Sequence, residues 1–305
     1  MAFKYLDYNT FARRHISPSE IGSKLGLDEK TVRTRVTKME EGGFIQYYQA
    51  IPNLSLFGLN SIDLYSFEAA DVQLKQEALA YVRRAPAVVE AFDMVGPGFF
   101  ASLAGSTERD VSQTVDRFTD DLKLRTSMKV GGRAWTSPTK EPNRLGWQLL
   151  RRLRYDALAP AREVARALSI TPRMAEYRIS TLLDSGAFFI RAVLNPQQQR
   201  GLIFYGLIVW VDAGARSSVV GRLQDAFGPK IWSLYTPATE VIIANLFGFA
   251  TGEPEDAVLS TLKLDGVRHC SFSLFKEMLE TERPNWLDRL IDERIGSASR
   301  RRPRG

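Results

Sequence analysis

At 305 residues with 44% hydrophobic content, the chain is long enough for two or more domains, each burying its own core without disulfide staples. A single cysteine, Cys270, excludes a disulfide framework and a thiolate metal cluster, and no stretch approaches the roughly 20 apolar residues of a membrane span. The net charge of +6 includes Arg300, Arg301, Arg302 and Arg304 of the final run; taking these four from six leaves the body at +2, so nucleic-acid binding has to be argued from particular helices.

The N-terminal MAFKYLDYNTFARRH has no basic-then-apolar leader pattern, and the expected location is cytoplasmic. Ser17-Pro18-Ser19-Glu20 opens a predicted helix: serine caps it, proline takes the first helical position, and Glu20 can return a bond to the cap amide. Gly26 ends that helix, Leu27 is an apolar residue in the turn, and Asp28 caps a second helix over 28–41 whose inward stripe is Val32, Val36 and Met39. Opposite the stripe lie Lys30, Thr31, Thr34, Thr37 and Lys38, flanked by Arg33 and Arg35. Lysine and threonine reach base edges, while the arginines suit phosphate. The bland alternative is a solvated helix face; a position between a helix-turn and a glycine-started wing favours DNA. Phe44 to Ile51, after Gly42-Gly43, is predicted as a short strand pair, so residues 1–56 read as three helices and a hairpin, the winged helix-turn-helix plan.

Strand Ser61 to Glu68, helix Val72 to Arg84, strands Val88 to Val95 and Phe99 to Ala104, helix Glu108 to Leu122 and strand Arg125 to Val130 follow. This β-α-β-β-α-β order predicts a ferredoxin-like module over 57–136, four antiparallel strands with two helices on one face. Ser137 to Asn143, with two prolines and no apolar residue, is the predicted linker 137–143.

The chain then repeats itself at an offset of 143 residues. Glu20-Ile21-Gly22-Ser23-Lys24-Leu25 aligns with Glu163-Val164-Ala165-Arg166-Ala167-Leu168, and Arg35, Gly43 and Gly58 align with Arg178, Gly186 and Gly201. Matches at apolar and glycine positions point to a repeated fold. A second winged helix-turn-helix is expected over 144–199, a second ferredoxin-like module over 200–282, and a final amphipathic helix from about Pro284 to Ile295 with a basic tail over 283–305. The last strand of the second module is predicted over Arg268 to Phe275. The predicted fold class is α+β, two copies of a winged helix-turn-helix followed by a ferredoxin-like βαββαβ domain. In the second reader Arg173, Met174, Tyr177, Ser180 and Thr181 take the groove-facing positions, Arg178 matches Arg35, and Glu176 stands where the first copy has Arg33. It either contacts DNA through more apolar and aromatic groups or serves as a scaffold.

Ile21 to Leu27, Thr31 to Val36 and Glu40 to Gln46 together resemble the leucine-responsive and asparagine regulator family, the Lrp/AsnC or feast/famine regulators, in a tandem form. The resemblance implies a DNA-binding transcriptional regulator whose ferredoxin-like module assembles through its sheet and takes a small-molecule effector, an amino acid or another metabolite. Members carry a Gly-Asp-aromatic-Asp pattern near the effector pocket. This chain has Gly96-Pro97-Gly98-Phe99-Phe100 in the first copy and Pro237-Ala238-Thr239-Glu240 in the second, leaving Gly96, Gly98 and Phe99 as effector-site candidates or as a simple tight turn. The expected partners are double-stranded DNA, a small-molecule effector and a second copy of the chain, unless one chain acts as its own pseudo-dimer.

No phosphate loop, nucleophile elbow or metal-spaced cluster appears, so neither an enzyme nor a cofactor is expected. The enzymatic alternative is a siroheme-type decarboxylase, a group similar to the same family that pairs two such units around a tetrapyrrole; only His15 and His269 are available to it. A non-catalytic assembly module is the third reading.

Overall fold

The computed structural model describes residues 17–134, 136–198, 201–237, 239–279 and 281–300. His15 and the tail residues 301–305 lie outside them. In the first reader, α1 (Pro18–Leu25) begins at a capping box, the Glu20 amide donating to Ser17 Oγ at 3.2 Å and the Ser17 amide to Glu20 Oε2 at 3.1 Å. α2 (Glu29–Glu41) starts on Asp28, which accepts from the Thr31 amide at 2.8 Å and its hydroxyl at 2.6 Å. β1 (Ile45–Pro52) and a single 3-10 turn, Leu54–Phe57, complete the described part of this reader.

The first sheet module runs β2 (Ser61–Glu68), α3 (Val72–Val82), β3 (Val88–Met94), β4 (Gly98–Gly105), α4 (Glu108–Leu122) and β5 (Arg125–Ala134). The second reader carries α5 (Arg144–Leu153), α6 (Ala161–Leu168), α7 (Pro172–Asp184) and β6 (Phe188–Leu194). Its module runs β7 (Ile203–Val211), α8 (Arg216–Phe227), β8 (Ile231–Tyr235), β9 (Val241–Gly248), α9 (Glu253–Thr261) and β10 (Val267–Leu279), and α10 (Trp286–Arg300) follows. The element order repeats, and each module has the antiparallel ferredoxin-like arrangement, β5-β2-β4-β3 and β10-β7-β9-β8.

Three departures from the sequence reading have physical causes. Phe44 to Ile51 forms no strand pair: Gln46-Tyr47-Tyr48-Gln49 contains nothing suited to a tight turn, so the strand continues and pairs antiparallel with β6 of the other reader. β10 runs four residues past Phe275, and that extension joins the modules, because Val267 to Leu274 pair with β7 while Phe275 to Leu279 pair with β3. α10 begins at Trp286 rather than Pro284, since Asn285 Oδ1 accepts from the Leu287 and Asp288 amides and acts as the cap; the helix then runs past Ile295 to Arg300.

The eight strands therefore form one sheet that closes its two helix-free faces on each other. Side-chain alternation sorts the layers. Phe67, Phe99 and Leu103 pack under α3 and α4 with Val111, Val115 and Phe118, whereas Phe100 faces the opposite way and meets Ile208 and Ile243 of the second module. Each such Phe or Leu contributes about 1.5–3 kcal/mol by leaving water.

The two readers are not mounted alike. The first rests on the second module, where the Phe44 ring stacks on Phe204 with centroids 5.8 Å apart. The corresponding corner of the first module holds Ser61 where the second has Phe204, and is covered by α10, whose Trp286 Nε1 donates to the Val88 carbonyl at 2.8 Å. α10 is held in turn by Arg154, 1% exposed, which donates to Asp288 Oδ1 at 3.0 Å, to the Ala50 carbonyl at 2.6 Å and to Asn285 Oδ1 at 3.4 Å.

Candidate nucleic-acid interface

The turn before α2 is made tight by Gly22, where a Cβ would lie 2.4 Å from the Leu27 carbonyl oxygen, and by the Leu27 amide donating to the Gly22 carbonyl at 2.9 Å. Gly26, at φ +65°, supplies the left-handed residue between the helices. α2 then buries Val32 completely and rests Val36 and Met39 against Phe44 and Ile45. Of the residues expected to face the groove, Lys30, Arg33, Thr34, Arg35, Thr37 and Lys38 are exposed, and Thr31 is half-buried with its hydroxyl on Asp28. That bond and the one from the Thr31 amide hold the Asp28 carboxyl below its usual range, keeping an anion at the helix start. Arg33 donates to Glu29 at 2.8 Å through Nε in an exposed i,i+4 pair. Pairs of that kind are worth about 0.2–0.5 kcal/mol, so a phosphate can displace Glu29 easily.

α7 occupies the same place in the second reader, capped by Thr171, whose Oγ1 accepts from the Met174 amide at 3.2 Å. Ala175, Leu182 and Leu183 are buried. Arg173, Met174, Glu176, Tyr177 and Ser180 are exposed, and Arg178 and Thr181 are half-buried.

The β1/β6 ladder fixes how the readers relate. Gln49 opposes Arg191, and the bulge at Gln46 shortens the repeat offset to 142 along the strands, so that Asn53 corresponds to Asn195, each accepting on Oδ1 from the amide two residues on. Counterparts therefore face each other at Gln49 and Arg191, and the Asn53 amide donates to the Ala187 carbonyl as the Asn195 amide does to that of Phe44, which is the pattern of a local two-fold passing through the Gln49–Arg191 pair.

At that axis Arg191 donates to Gln49 Oε1 through Nε at 3.1 Å and Nη2 at 2.9 Å, and to Glu90 Oε2 at 3.0 Å, while Ser102 Oγ donates to Glu90 Oε1 at 3.0 Å. Glu90 and Ser102 line a small cavity, open to solvent, between the two facing sheet faces; its walls include Phe92, Phe100, Ile208 and Phe275. The sequence reading missed this chain of contacts, since nothing local links Glu90 with a residue 101 positions away.

Of the effector candidates, Gly96 makes the β3–β4 turn at φ +90°, with its carbonyl and that of Met94 accepting from the buried Lys75 Nζ at 2.5 and 2.8 Å. Gly98 opens β4, and the Phe99 side chain is fully buried under the helices. His269 is exposed on β10 beside Trp210, centroids 4.9 Å apart. Burial pushes the Cys270 thiol up to about 12, leaving it a protonated core residue. Among the described residues no group of three potential ligands could hold a metal, and no helix is long and apolar enough to cross a membrane.

These features define a class: winged helix-turn-helix units carried on ferredoxin-like sheets. Residues 12–46 match the winged helix-turn-helix DNA-binding family. No curated protein matches the chain. Among solved structures it is similar over its whole length to the siroheme decarboxylase NirDL in complex with an iron-uroporphyrin III analogue, with TM-score 0.57 and 15% identity over 97% of this chain and 98% of that one. It is also similar over part of its length to Escherichia coli AsnC, with TM-score 0.35 and 13% identity over 47% of this chain and 94% of the other. An AsnC family transcriptional regulator from Agrobacterium tumefaciens gives TM-score 0.31 and 16% identity over 46% and 92%. At 15% identity the likeness to NirDL is one of fold.

Proposed function

We propose that the chain is a sequence-specific regulator of transcription that places α2 in the major groove of double-stranded DNA. The carrying observation is the exposed side of α2, where Lys30 and Lys38 lie away from Val32 and Arg33 and Arg35 flank them, all in solvent directly after a helix-turn. In this reading the β1/β6 two-fold lets a single chain, as a pseudo-dimer of two regulator units, offer two readers to one duplex. The closed sheets assemble the molecule and enclose a space for a metabolite effector, with Glu90 and Arg191 linking that space to the reader ladder.

The test is selection of genomic fragments by the purified protein near physiological salt, beside a Lys30→Ala/Arg33→Ala/Lys38→Ala variant checked for folding by circular dichroism. A recurring motif that the variant loses supports the reading. Enrichment by neither protein, or equally by both, removes α2 from the role assigned to it.

A second reading, a tetrapyrrole-modifying enzyme, is favoured by the full-length fold likeness to NirDL. The described residues offer it one histidine, exposed on a sheet next to Trp210, and a cavity whose lining carries Glu90 but no arginine, lysine or histidine for the carboxylates of such a substrate. Titration with an iron-uroporphyrin, followed by its visible absorption, separates the two: saturable tight binding supports the enzyme, and unchanged spectra support the regulator.

A further inference from the structure

The two recognition helices occupy equivalent places around one local two-fold but present different chemistry. Position by position at the 143-residue offset, Lys30 is replaced by Arg173, Thr31 by Met174, Arg33 by Glu176, Thr34 by Tyr177 and Lys38 by Thr181. On α2 four cations stand against Glu29, Glu40 and Glu41; on α7 Arg173 and Arg178 stand against Glu176 and Asp184. Met174 and Tyr177, three residues apart and so on one helical face, are 43% and 66% exposed. Single exposed apolar residues are ordinary on a protein surface, but these two form a stripe at the positions that in the other reader face the groove.

Resting on the DNA-binding reading above, we propose that the protein recognises two unlike half-sites: α2 a half-site rich in guanine acceptors, and α7 a pyrimidine-rich half-site read through thymine methyl groups. In the major groove lysine bonds guanine O6 and N7, and apolar side chains meet the thymine C5 methyl. A carboxylate can accept only from a donor such as the cytosine amino group, so Glu176, which repels phosphate where Arg33 attracts it, fits a thymine- and cytosine-bearing strand. Arg173 and Arg178 remain to hold the backbone. A two-fold normal to the β1/β6 ladder carries α2 onto α7 without leaving one side of the ladder, so a single duplex can meet both. The halves are then centred about 10 base pairs apart or a multiple of that. A symmetric palindrome would waste the difference between the helices.

The experiment is selection from a randomised duplex library by the full chain and two folded variants, Lys30→Ala/Lys38→Ala and Met174→Ala/Tyr177→Ala. The expected motif has two different halves, and each variant loses information in its own half only. A second measurement needs no variant: replacing thymine by deoxyuridine in the second half removes methyl groups alone and weakens binding about fourfold per contacted methyl, with no effect on the Met174→Ala/Tyr177→Ala protein. A palindromic motif, a motif with a single half, or indifference to deoxyuridine overturns the proposal while leaving DNA binding intact. No motif at all overturns the parent reading and this one together.

Discussion

Arg154 provides the sharpest test of how the second reader, the first reader and α10 are held as one body. Its guanidinium is buried and reaches three places: Asp288 Oδ1 at 3.0 Å, Asn285 Oδ1 at 3.4 Å, and the Ala50 carbonyl of β1 at 2.6 Å. In Arg154→Met the aliphatic volume stays but the charge and its donors go. Asp288, 0% exposed, is left with the Tyr155 hydroxyl at 2.6 Å and the Asn285 amide at 2.9 Å, and with Arg151 only at 3.7 Å. Removing one partner of a buried ion pair costs about 3–5 kcal/mol; the two surviving donors put this case at the low end, about 3 kcal/mol. At roughly 2 °C per kcal/mol for a chain of this size, the melting temperature is expected to fall by about 6 °C. Calorimetry measures it, and amide exchange should show α10 opening first. The double variant Arg154→Met/Asp288→Leu, which removes both charges, should recover at least half of the loss. A single variant that melts with the parent protein, or a double variant no better than the single, refutes the assignment of this cluster as the clasp.

Acid should open the same clasp. Burial alone pushes the Asp288 carboxyl up, but Arg154, the Tyr155 hydroxyl and the Asn285 amide more than offset it and hold the group below its usual range. Its stabilisation is therefore present above the unfolded value of about 3.9 and is lost as pH falls through the lower folded value, so α10 amides should lose exchange protection below about pH 4 and Asp288→Asn should flatten that dependence. Gly22→Ala places a methyl 2.4 Å from the Leu27 carbonyl and should destabilise the first reader by about 1–3 kcal/mol; unchanged exchange protection across α1 and α2 would contradict this. Salt dependence tests the cations assigned to phosphate: in a plot of log affinity against log salt, Arg33→Ala/Arg35→Ala should lower the slope by about 1.8, while Met174→Ala/Tyr177→Ala should leave it unchanged. An unchanged slope in the arginine variant would mean that Arg33 and Arg35 do not contact phosphate.

Much of the reader was legible because its signals are local. The Ser17 and Asp28 caps, Gly26 and the spacing of Val32, Val36 and Met39 all act within a turn or two, and the structure places them as their chemistry requires. The β-α-β-β-α-β order was visible for the same reason. The pairing of β1 with β6 was not, since an alternating strand specifies a face and not a partner, and here the partner lies 142 residues away at Gln49 and Arg191. Arg154 was hidden differently. Within Arg151-Arg152-Leu153-Arg154 it looks like one more surface cation, and only the arrival of α10 from the far end of the chain buries it. The Glu90–Arg191 contact and the cavity depend on β10 bridging both modules, an event that no window of sequence contains.

The ladder between β1 and β6 has a consequence for behaviour on dilution. Where two readers belong to separate subunits, the paired state obeys mass action and falls apart when copies become scarce. Here both strands belong to one polypeptide, so their meeting is intramolecular, at an effective concentration on the order of millimolar for short connections, whatever the number of molecules present. In the reading proposed above, where one chain engages a two-part target, its occupancy rises with the first power of protein concentration. A covalent pair is also freed from identity: because neither half has to recognise a copy of itself, each can change without spoiling the other, and the contrast between Thr34 and Tyr177 is the kind of divergence that such freedom permits.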